Sequence, residues 1–124
     1  MSRFIVLSLV LTGCAIDGLY TGECTLESGD NKYVYELEID IDQEGEDIGG
    51  DALVLYPKDP EGGSYGEGEI EGSKDGDDVQ MLLKFDEGKL KGANMMLDGT
   101  IDGRDISGGC DRGSIFGSFT VTRQ

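Results

Sequence analysis

Cysteine is the most reactive side chain this sequence offers. It occurs three times, at Cys14, Cys24 and Cys110, in a chain of 124 residues that has no histidine. A serine or cysteine nucleophile needs a neighbouring base, most often histidine, to become reactive, so hydrolysis by that route has no base here. The lack of histidine also removes the ordinary zinc and copper ligand sets. The 26 Asp and Glu residues could supply the paired carboxylates of a glycosidase. No spacing singles out a pair, however, and 5 Tyr and 4 Phe without Trp are few aromatics to line a sugar cleft. The chain therefore reads as a non-enzymatic protein with no cofactor.

Calcium is the better chemical candidate among the acids. Asp40-Ile41-Asp42-Gln43-Glu44-Gly45, with Asp51 beyond it, partly matches a calcium loop, in which oxygens on alternate residues precede a glycine that turns the chain. Asp47 stands where that loop wants an apolar residue, Asp51 stands where it wants Glu, and both flanks have the period of strands. Acids meeting at a β-turn explain the same residues, as they do Asp75-Gly76-Asp77-Asp78 and Asp102-Gly103-Arg104-Asp105. No metal ligand is assigned.

The N-terminus carries a different chemistry. Arg3 is followed by a mostly apolar run, Phe4 to Leu11, and then by small residues, the order of a secretory leader. The run is too short for a spanning helix, which needs about 20 apolar residues; an apolar first strand with a buried thiol is the alternative. Leu11-Thr12-Gly13-Cys14 resembles the bacterial lipobox, in which a cysteine is diacylated on sulfur before the leader is cut away. That resemblance implies a signal peptide over 1–13, a lipid anchor at Cys14 and a short tether over 14–17. It also implies a home in the cell envelope. Ala15, where an Asp would favour retention in the inner membrane, points to the outer membrane.

Assigning Cys14 to lipid leaves Cys24 and Cys110, one near each end of the folded part. Export places them where a disulfide persists, and pairing them leaves no orphan; two free thiols are the alternative.

The formal charge is -16, and losing Arg3 with the leader makes it one unit more negative. Such a surface repels phosphate backbones, which excludes nucleic acid as a partner and keeps a glycine-rich strand protein soluble and monomeric.

These features must be carried by strands. In Tyr33-Val34-Tyr35-Glu36-Leu37-Glu38-Ile39-Asp40-Ile41-Asp42 the odd positions are apolar and the even ones become acidic, which gives one buried and one wet face. Val79, Met81, Leu83 and Phe85 repeat the pattern, as do Phe119 and Val121. Clusters of Gly, Asp, Ser and Asn punctuate strands predicted at 18–26, 32–42, 48–56, 64–72, 79–85, 89–97, 99–107 and 114–123. Eight short strands with short connections and no helical period predict an all-β fold, an eight-stranded antiparallel up-and-down β-barrel in meander order over 18–124. A transmembrane barrel would need an apolar outer face, where Glu36, Glu38, Asp40 and Asp42 stand instead.

Asp17-Gly18-Leu19-Tyr20 at the start and Val121-Thr122-Arg123 at the end resemble the lipocalin and avidin group of small barrels. There an aromatic after a glycine on the first strand packs beneath the barrel beside a late arginine. The resemblance implies that Tyr20, in place of the usual Trp, and Arg123 close the barrel. It further implies a possible small apolar ligand. A protein partner at the envelope is equally open, and so is a scaffold whose interior is filled by its own side chains.

Overall fold

The computed structural model describes residues 15–124, so the leader and Cys14 lie outside the described residues. Eight strands follow one another: β1 (Gly18–Ser28), β2 (Asn31–Glu44), β3 (Asp47–Leu55), β4 (Ser64–Asp75), β5 (Asp78–Gly88), β6 (Asn94–Asp102), β7 (Asp105–Arg112) and β8 (Ile115–Arg123). Each pairs antiparallel with the next, and β8 returns to pair with β1, so the sheet closes in meander order as the alternation predicted.

Alternation decides which face is inside. Along β2, Tyr35, Leu37, Ile39 and Ile41 are buried while Glu36, Asp40 and Asp42 are exposed. The same reading places Met81, Leu83, Phe85, Phe119 and Val121 in the core. Met95, Leu97, Ile106, Leu26, Val54 and Val79 join them. An eight-stranded barrel can be filled by side chains or can hold one small ligand, and here buried side chains from all eight strands occupy the interior. Acids on the outer wall are the reverse of a lipid-facing band.

Two predicted strands, 89–97 and 99–107, are displaced. The chain turns over 89–93 and again at Gly103-Arg104, while Gly99 lies inside β6. The predicted gap at 98 falls inside β6, and the neighbouring Gly99 is a place of close approach: a Cβ there would come within 2.8 Å of the Phe119 ring. The actual turn glycine, Gly103, has φ +63°. All five two-residue turns begin with a glycine of similar left-handed φ, 62–68°, at Gly29, Gly45, Gly76, Gly103 and Gly113. Such turns match the natural twist of a hairpin.

The seam between β1 and β8 depends on missing side chains. A Cβ on Gly22 would overlap the Thr120 carbonyl, and one on Gly117 would overlap the Thr25 carbonyl. Gly117 pairs with Leu26 on one side and with Cys110 on the other. Across it, inside the barrel, runs the disulfide Cys24–Cys110, linking β1 to β7 over the intervening β8 with Cα atoms 6.2 Å apart. In a flat sheet, strands two apart are separated by about 9.5 Å. The sheet is therefore folded sharply here, and the absent side chain at Gly117 lets β8 lie close against the backbone of β1.

Candidate functional site

The meander gives the barrel two unlike ends. One holds the start of β1, the end of β8 and the two-residue turns after β2, β4 and β6. The other holds the turns after β1 and β7 and the longer connections 56–63 and 89–93.

At the first, closed end the chain crosses beneath the barrel before β1 begins. Ile16 is buried, and its N–H donates to Gln43 Oε1 at 2.8 Å. Tyr20, only 2% exposed, donates its hydroxyl to the Ile16 carbonyl at 3.0 Å. Tyr20 is the register partner of Arg123, whose aliphatic stem passes over Gly18. Arg104 in turn donates to the Arg123 carbonyl at 2.7 Å. The residues that the resemblance pointed to, Tyr20 and Arg123, are thus brought together. Burial pushes the Tyr20 hydroxyl pKa up, against the nearby Arg123 charge and its hydrogen bond, and Asp17 adds to the rise.

Beside them lies a cavity of about 230 Å³ lined by Ile16, Tyr20, Lys74, Asp77, Ile101 and Arg123, among others. Lys74 is 7% exposed. The sequence reading passed over it, although the alternation Ile70-Gly72-Lys74 along β4 carries the signal: a lysine falls in an inward register position.

The second end is roofed by aromatics. Tyr35, Tyr56 and Tyr65 touch one another, with ring centroids 5.1, 5.7 and 5.3 Å apart. Leu90 is buried beneath, and its N–H donates to the Tyr65 carbonyl at 3.0 Å. Lys89 ties the two long connections together through Asp59 at 2.8 Å and Glu61 at 3.0 Å. These contacts hold the Asp59 carboxyl below its ordinary pKa and the Lys89 ammonium above its own. Burial, opposed by the Arg112 charge, raises the Tyr35 hydroxyl pKa. The Arg112 Nε is buried and has no hydrogen-bond partner among the described residues. Tyr56 and Tyr65 flank a loop, so strand alternation alone could not join them to Tyr35.

The outer wall is acidic and shallowly concave. One depression of about 590 Å³ runs over Thr21, Glu23, Glu36, Glu38 and Thr120. Another, about 470 Å³, lies over Asp40, Asp51, Glu67, Glu69 and Glu87. Asp40, Asp51 and Glu69 stand directly opposite one another on three adjacent strands. Like charges so placed are destabilising.

The calcium candidate does not assemble. Asp40, Asp42 and Glu44 are strung along β2, spread over about 13 Å of strand rather than wrapped around a point. Among the described residues no group of three or more Asp, Glu, Cys or His is placed to hold a metal ion. The chain matches no protein-family model and no curated protein sequence.

Proposed function

We propose that this protein is a non-enzymatic lipoprotein of the cell envelope, anchored through lipid on Cys14, whose barrel works through its outside. Its partner on this reading is another envelope protein presenting a basic surface. The observation that carries the reading is the filled interior. The inward residues of all eight strands pack against one another, the tyrosine cluster covers one end, and Ile16 with Tyr20 covers the other. A barrel so filled offers its wall and rim to a partner. A dense negative wall favours a cationic partner and speeds its approach. The leader and lipobox sequence supports the anchor, and the closed end is where the chain arrives from Cys14.

Mass spectrometry of the protein extracted from its native envelope tests both halves. The denatured mass is expected to start at residue 14 and to carry acyl chains; a mass beginning at Met1 with a free Cys14 sinks the anchor. After a high-salt wash, the native mass is expected to equal the denatured one. A retained non-covalent excess of a few hundred daltons would mean that the barrel encloses a ligand and that the wall is not its working surface.

A further inference from the structure

The closed-end cavity holds a charged residue that closing the barrel does not call for. Lys74, 7% exposed, stands at an inward position of β4 and lines the cavity. Arg123 lines the same cavity from β8. Among the described residues, neither has a carboxylate oxygen within 4.0 Å, although the chain carries 26 acids. Lysine is rarely buried without a partner, and in so acidic a chain a carboxylate would have been easy to supply. Two cations facing one small cavity instead make a site prepared for an anion from outside.

We propose that this cavity binds a phosphate group, with Lys74 and Arg123 as its charged ligands and the Tyr20 edge as its wall. A volume of about 230 Å³ exceeds that of one water several times over, which is ample for a tetrahedral oxyanion. The guanidinium offers a planar fork of donors and the ammonium a compact charge, the two ways proteins grip phosphate oxygens. Ala15, the first described residue, also lines the cavity. Asp77 lines it too, and its carboxylate opposes the anion, setting the affinity low.

The phosphate has two possible sources, a free ion or the diester of a phospholipid headgroup. The lipid source rests on the anchor reading above; the anion site itself does not. Calorimetric titration of the full chain, in non-ionic detergent and phosphate-free buffer, separates them by using two probes, inorganic phosphate and glycerophosphoglycerol. Saturable binding of the first alone assigns a free ion, whereas tighter binding of the second assigns a headgroup. Lys74→Met, which keeps the buried stem, is expected to weaken binding by about tenfold or more, the worth of one charge-assisted hydrogen bond. Asp77→Asn, at an exposed turn that leaves the core untouched, is expected to tighten it a few-fold. No heat from either probe at millimolar concentration overturns the proposal. So does affinity that neither substitution changes.

Discussion

The two ends of this barrel are closed by different means. At the closed end directed hydrogen bonds to the crossing segment do the work: the Ile16 N–H donates to the Gln43 side chain, and the Tyr20 hydroxyl donates back to the Ile16 carbonyl. At the other end apolar ring packing does it, with three tyrosine rings and Leu90 under two connections that Lys89 joins. Directed hydrogen bonds fix donors and acceptors in place and leave few conformations to lose. Closure by rings under longer loops has no such directional constraint, and it opens more easily. Stability should therefore be uneven along the barrel axis, with the rim as its softer part.

The disulfide is the sharpest way to break that contrast, because it lies in the half nearer the rim, with Cys24 directly opposite Tyr35. Replacing both cysteines with serine is expected to cost about 4.6 kcal/mol, the chain-entropy value for a separation of 86 residues. Denaturant unfolding would measure it. Hydrogen exchange should show the ends of β1 and β7 near the rim losing protection before the turns of the closed end; uniform loss would erase the contrast.

A pair of single-atom deletions sharpens it. Tyr20→Phe strands the buried Ile16 carbonyl and should cost about 1 kcal/mol. Tyr65→Phe, whose hydroxyl makes no hydrogen bond among the described residues, should cost close to nothing. Equal losses from the two would mean that the rim is held by more than ring packing.

Alkaline titration reaches both ends at once. Burial raises the hydroxyl pKa of Tyr20 and Tyr35 above 10 in the fold, so the unfolded chain releases these protons first. Their contribution is fully present below pH 10 and is lost as pH rises from there through the folded values. Melting temperature followed with tyrosinate absorbance should fall over that window, and Tyr20→Phe should remove part of the fall.

The wall between the ends gives a smaller effect of opposite sign. Asp51→Lys places a positive charge between Asp40 and Glu69 and is expected to stabilise by about 0.5 kcal/mol in low salt. The gain should shrink as salt is added. The smallest global effect belongs to Lys89→Met. Melting should be unchanged, while limited proteolysis within 56–63 should quicken because the tie to Asp59 and Glu61 is gone. In the unsubstituted protein the same quickening should appear in acid. Asp59 keeps its stabilising charge above the ordinary carboxyl pKa and loses it only as pH falls through its lowered one.

The sequence by itself determined the barrel and the inward face of residues such as Leu37, Ile39 and Met81, and it pointed to the Cys24–Cys110 pairing; that the interior is filled came from the tertiary structure. A period of two is a local property, and one strand with an apolar face implies neighbours that cover it. It could not say which glycines turn the chain and which let strands meet. Gly99 and Gly103 are four residues apart, and only the curvature of the closed sheet makes one a contact and the other a turn. Nor could it gather groups far apart in sequence. Tyr35 with Tyr56 and Tyr65, and Lys74 with Arg123, meet because eight strands of particular length and register bring their ends round to the same rim. Alternation gives each side chain a face; only ring closure gives it neighbours from the far side.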